Sequence, residues 1–153
     1  MGADRANIGY HLREQIPGDN RNLMGKIYED EITITSAEIL ALYTTPKELV
    51  PAPGANKVLQ FESAVGFLDF NTTAYATAGI LTVKNYTTAV SDPCDAADLV
   101  AQVDDCYLEI NKLSTEVELV VNKPLNLYCD TANPTAGDSP IRMKVMYRIL
   151  DFS

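Results

Sequence analysis

The most regular pattern in the chain lies near its end. Ile141, Met143, Val145, Tyr147 and Ile149 alternate with Arg142, Lys144 and Arg148. That period of two predicts a strand with an apolar inward face and a basic outward stripe. Between Lys57 and Phe70, Leu59, Phe61, Ser63, Val65 and Phe67 point one way, and Gln60, Glu62, Ala64 and Gly66 the other. Leu68 and Phe70 then continue the opposite phase, so a bulge or bend is expected near Gly66–Leu68. Shorter strand signals span Ile27 to Ile34, Lys47 to Val50, Tyr107 to Ile110, Thr115 to Val121 and Leu125 to Cys129. Another opens at Gly79, with Leu81 and Val83 opposed to Thr82 and Lys84. In Thr115–Val121 the inward set is Val117, Leu119 and Val121, alternating with Glu116 and Glu118.

One helix start is clear. Thr35-Ser36-Ala37-Glu38 fits a capping box, in which the Thr35 hydroxyl accepts from the Glu38 amide while Glu38 reaches back. Pro46 ends that helix within about two turns. Pro51-Ala52-Pro53-Gly54, Asn71-Thr72-Thr73 and the stretch from Thr131 to Pro140 are turns; residues 96–103 leave a short helix or a loop-like strand open. Seven to eight short strands without βαβ spacing predict an all-β fold: an antiparallel two-sheet sandwich, jelly-roll-like, with one short helix. Before it, residues 1–24 carry no sustained period and read as an extended N-terminal arm, giving an arm (1–24) and a β-sandwich domain (25–153). Ile8, Tyr10, Leu12 and Ile16 stand singly in the arm, suited to filling grooves on a partner surface; a frayed terminus is the plainer alternative.

Charge sharpens this division. The net charge is −9, yet residues 1–24 hold Arg5, Arg13 and Arg21 against Asp4, Glu14 and Asp19 and sum to zero. All nine net negative charges therefore fall on the sandwich. So acidic a domain is not expected to bind nucleic acid. No apolar run is long enough for a membrane helix, and Met1–Asn20 lacks a signal-peptide core, so no membrane association and no export by that route are expected. Cys94, Cys106 and Cys129 then read as reduced thiols, with a Cys94–Cys106 bridge as the less favoured option.

Candidate chemistry is thin. His11, the single histidine, lies in the arm, so neither a Ser-His-Asp or Cys-His arrangement nor a Cys/His zinc set is expected. Gly137-Asp138-Ser139 lacks the glycine of a nucleophile elbow. Glu116 and Glu118 have the pattern of a solvated strand face rather than of paired catalytic acids. Asp92, Asp95, Asp98, Asp104 and Asp105 lack the alternation and glycine of a calcium loop. Two sequons, at Asn71 and Asn85, carry little weight without export. Eight tyrosines suit interfaces and sugar sites, but tyrosine is also a good strand residue. No enzyme, cofactor or metal is expected.

The order of motifs resembles small virion proteins of tailed bacteriophages. The residues that carry it are Thr33-Ile34-Thr35-Ser36-Ala37-Glu38-Ile39-Leu40-Ala41-Leu42, Thr45-Pro46-Lys47-Glu48-Leu49-Val50-Pro51-Ala52-Pro53-Gly54 and Lys57-Val58-Leu59. Ala74-Tyr75-Ala76-Thr77 and Gly137-Asp138-Ser139-Pro140-Ile141-Arg142 through Tyr147-Arg148 add to it. The resemblance implies a jelly-roll-like subunit, usually trimeric, that cements or decorates the phage head, with no catalytic residues to carry over. The expectation is a virion protein, assembled in the bacterial host cytoplasm, that binds the major capsid protein or another virion protein as a homotrimer. A receptor- or carbohydrate-binding module of a tail fibre or tail tip is the alternative, marked by an aromatic-lined groove in the loops. Expected interface residues are the arm's Ile8, Tyr10, Leu12 and Ile16, with the stripe Arg142, Lys144 and Arg148. Acids for the stripe are expected from Glu116 and Glu118 or from a neighbour's Asp92–Asp105 segment. Val120 and Met146, apolar among charged outward residues, hint at faces covered in the assembly.

Overall fold

Alternation of apolar and polar residues builds two sheets that bury their apolar faces against each other. A computed structural model describes residues 26–77 and 79–153. The strands are β1 (Tyr28–Ile34), β2 (Lys47–Val50), β3 (Lys57–Leu68), β4 (Tyr75–Ala76), β5 (Ile80–Asn85), β6 (Thr88–Ala89), β7 (Cys94–Asp95), β8 (Cys106–Asn111), β9 (Leu125–Cys129), β10 (Thr135–Ala136) and β11 (Ile141–Asp151). One sheet runs β1-β11-β3-β8. The other runs β2-β9-β5-β6, with β7 also on β5, and β10 pairs with β4 as a two-stranded ribbon. All pairings are antiparallel.

Setting aside β7, which lies off the sheet path, and the β4–β10 ribbon leaves eight strands. Numbered along the chain, they lie in the orders 1-8-3-6 and 2-7-4-5. Each connection but one therefore crosses from sheet to sheet, which is the wrapping of a jelly roll. The exception is the β5–β6 hairpin, whose first loop residue, Tyr86, has φ 59°, as primed two-residue turns require.

Between the sheets lie Ile34, Leu59, Phe61, Leu68, Leu81, Ile110, Leu125, Leu127 and Ile141, all essentially without solvent exposure. Helix α1 (Ser36–Ile39) caps one end: Thr35 and Glu38 form the expected box, and Ile39 and Leu42 enter the core. A 3₁₀ turn at Ala96–Asp98, N-capped by Asp95, lowers Leu99 and Val100 into the core. It settles the open choice for this stretch in favour of a short helix.

Two strand expectations are corrected. The bulge in β3 falls at Glu62, not near Gly66–Leu68: Ser63 pairs with Met146 and Phe61 with Tyr147, leaving Glu62 as the extra residue. Its insertion shifts the phase by one, so Ala64, Gly66 and Leu68 turn inward, and Ser63, Val65 and Phe67 turn out. A Cβ at Gly66 would stand 2.8 Å from Leu99 Cδ2, so any larger residue there would force the Leu99 side chain to shift. The second correction concerns Thr115–Val121, which joins no ladder. Val117 and Leu119 do pack on the core, but Val121 is exposed. The segment hangs instead on Asn85, whose buried amide accepts from Val120 N at 2.7 Å and donates to the carbonyls of Lys123 and Pro124 at 3.2 and 3.4 Å. Those side-chain bonds satisfy the backbone that a neighbouring strand would otherwise serve.

Candidate functional site

The outer face of the four-stranded sheet is where the corrected register has its consequence. Opposite residues across β1, β11, β3 and β8 form rows: Thr33, Arg142, Phe67 and Tyr107, then Glu31, Lys144, Val65 and Glu109. Phe67 and Val65, whose phase matched the core residues Leu59 and Phe61, therefore lie half-buried on the outer face beside the basic stripe. Phe67 and Tyr107 rings lie 4.7 Å apart, and the Arg142 guanidinium sits 4.8 Å above the Phe67 ring. Together with Lys144 and Glu31 they line a shallow groove of about 220 Å³. Tyr107 is 73% exposed. Tyrosine, phenylalanine and arginine are the residue types enriched in protein interfaces, and a guanidinium over an aromatic face is attracted by about 0.5–1 kcal/mol when exposed.

The three stripe residues differ in their partners. Lys144 Nζ donates to Glu29 at 3.1 Å with Glu31 at 3.9 Å, which raises its pKa above the ordinary lysine value. Arg148 Nε donates to the bulged Glu62 at 2.9 Å, and Lys112 approaches the same carboxylate at 3.7 Å. Arg142 makes no ion pair among the described residues. The expected acids Glu116 and Glu118 pair with none of the three; the adjacent strand β1 and the bulge provide the acids, because they are nearer in the sheet. Met146, on the same face, is half-buried by its neighbours within the chain, as is Val120. Ile8, Tyr10, Leu12 and Ile16 lie outside the described residues.

Other chemical candidates resolve into structural roles. The Asp138 carboxylate accepts from Thr72 N at 3.1 Å, Thr73 N at 2.9 Å, Asn71 Nδ2 at 3.1 Å and the Thr72 hydroxyl. The Thr72 hydroxyl, then the Thr73 amide, hold its pKa below the ordinary aspartate value. Tyr75 donates to the Ser139 carbonyl at 2.6 Å, so the two motifs Ala74–Thr77 and Gly137–Ile141 form one corner. Asp95 caps the 3₁₀ turn and Asp105 accepts from Phe70 N at 2.8 Å, which spends two of the acids considered for calcium. The Asn85 side chain of the second sequon is buried, and the Asn71 amide is engaged by Asp138.

All three cysteines are free, so the Cys94–Cys106 bridge is absent. Burial, then Asp98 and Asp95, pushes the Cys94 thiol up to about 11, leaving it a protonated, poor nucleophile at neutral pH. Among the described residues no cluster of three metal-ligating side chains occurs, and no helix is long and apolar enough to cross a membrane.

No family model matches the sequence, and no curated protein matches it. A solved structure, the "Cyanophage Pam1 capsid asymmetric unit", contains a chain with weak structural similarity. The identity is 13%, the TM-score 0.44, and the match covers 80% of this chain and 82% of that one.

The outward aromatics escaped the sequence reading for one reason. The extra residue at Glu62 carries no signature of its own, and counted as an ordinary strand position it leaves Val65 and Phe67 in phase with the core residues Leu59 and Phe61. The two adjacent apolar residues Phe67 and Leu68 were the available signal; they place a phase change somewhere in the strand without fixing where.

Proposed function

We propose that this chain is a structural virion protein, a capsid cement or decoration subunit that binds neighbouring capsid proteins as a homotrimer and performs no catalysis. The observation that carries the proposal is the outer face of the β1-β11-β3-β8 sheet. Phe67, Val65, Tyr107 and Arg142 gather there into an anchor-like patch on a jelly roll. Solvated sheet faces ordinarily alternate to polar residues, and an exposed aromatic–arginine cluster marks a surface that another protein covers. The motif order shared with small phage virion proteins supports the choice of a virion as the setting. The partner is the major capsid protein or another virion protein, and neither nucleic acid nor membrane is required. Quantitative mass spectrometry of particles carrying this chain tests the reading. Hundreds of copies per particle are expected, whereas a few dozen or fewer would place it on the tail and overturn the head assignment.

A second reading, a carbohydrate- or receptor-binding module of a tail fibre or tail tip, is favoured by the same aromatics. The groove lies on a sheet face, however, and not among the loops where that reading located it. Saturable binding of the purified chain to a glycan array, lost in Tyr107→Ala, would favour it over the first.

A further inference from the structure

Arg142 in the groove has no acid partner among the described residues, and another part of the same chain displays an acid beside an exposed apolar side chain. Val103 and Asp104 lie in the loop entering β8, and Val103 is 65% exposed. Asp104 makes neither an ion pair nor a side-chain hydrogen bond among the described residues, whereas its neighbour Asp105 is engaged by the Phe70 amide. Across the sheet edge, Arg142 has the aromatic ring beneath it and, among the described residues, no carboxylate within ion-pair distance. An apolar knob with a free acid and an apolar groove with a free cation therefore coexist on one surface.

We propose that the groove formed by Val65, Phe67, Tyr107 and Arg142 receives the Val103–Asp104 loop of a second copy of this chain, joining subunits head to tail. The proposal rests on the homo-oligomeric part of the function proposed above. Valine fills the apolar floor, and the Asp104 carboxylate accepts from the Arg142 guanidinium, a charge-assisted hydrogen bond that specifies which copy-to-copy register forms. The volume favours a side-chain occupant, since sites for drug-sized ligands run to roughly 300–1,000 Å³, and this groove holds about 220 Å³. A knob and a groove at different places on one chain meet reciprocally about a two-fold axis or, joined head to tail, make a heterologous contact that closes into a ring when the rotation between copies permits. The knob's loop leads directly into β8, whose Tyr107 walls the groove.

Sedimentation velocity across a concentration series tests this with charge exchange. Arg142→Asp and Asp104→Arg should each weaken self-association by about tenfold or more. The double variant should recover most of that loss, because the pair is restored with its signs exchanged. Val103→Ser, at an exposed loop position, should weaken association in the same direction with an unchanged melting temperature, which guards against a misfolded Arg142 variant. The proposal is overturned if either single variant associates as tightly as the native chain, or if the double is no better than the weaker single. A native chain that stays monomeric yet still attaches to capsids would overturn this contact while leaving the capsid reading intact. Loss of groove binding to a different protein, with self-association unaffected, would also overturn it.

Discussion

Asn85 is a fully buried polar side chain with three backbone partners, and its position explains why an apolar, alternating segment stays outside the sheets. Truncation in Asn85→Ala would leave the Val120 amide and two carbonyls short of a partner. An unsatisfied buried group costs about 1–3 kcal/mol. The expected outcome is a melting temperature lower by roughly 2–4 °C per kcal/mol, read by calorimetry. Asp138 acts through pH. Its folded pKa is depressed below the ordinary value of 3.8. The stability it contributes is therefore present above that value and lost as pH falls through the folded pKa. Asp138→Asn should be less stable than the native chain at pH 7, and its stability should decline less steeply below about pH 4. Urea unfolding at a series of pH values measures both; parallel acid limbs would show that the Thr72 and Thr73 contacts carry no such linkage.

At the scale of elements, the bulge joins two stretches of β3 whose phases differ by one residue. Deleting Glu62 would remove the extra residue, join Phe61 to Ser63 opposite Tyr147 and Met146, and leave Ala64, Gly66 and Leu68 inward and Val65 and Phe67 outward. The deletion variant should therefore fold with native near-UV circular dichroism at 25 °C, as should Glu62→Gln, which keeps the bulge and loses only the ion pairs with Arg148 and Lys112. A deletion variant that loses its near-UV dichroism would show that the bulge itself, and not only the register on either side of it, is needed for the packed sheet. The segment from Leu113 to Pro124 is the counterpart: with single bonds at Leu113, Val120 and Asn122 in place of a ladder, it should exchange amide hydrogen faster than the laddered strands β9 and β11.

At the scale of the molecule, the core from Ile34 to Leu150 is closed by the described strands and the capping helix. The neutral segment 1–24 is proposed as a partner-seeking arm. Removing it should leave the melting temperature within a few degrees while reducing attachment to particles. Collapse of the fold on truncation would instead make the segment part of the sandwich, and undiminished attachment would show that it is no binding element.

The sequence by itself determined the class of fold. Alternation along β1, β5, β9 and β11, the capping box at Thr35 and the proline- and glycine-bearing turns are local signals. Each acts through backbone angles or nearest-neighbour burial, so a single sequence displays them. It also supplied the basic stripe, because Arg142, Lys144 and Arg148 follow the period of one strand. Only the tertiary structure decided what stands beside that stripe. Phe67 and Tyr107 come from strands far apart in sequence, and their meeting with Arg142 depends on ladder register. Likewise Asn85 holds Val120 across 35 positions, and no local pattern records a contact made by side-chain reach. Pairing register is a property of two strands at once, which is why the groove became visible only when the sheet was assembled.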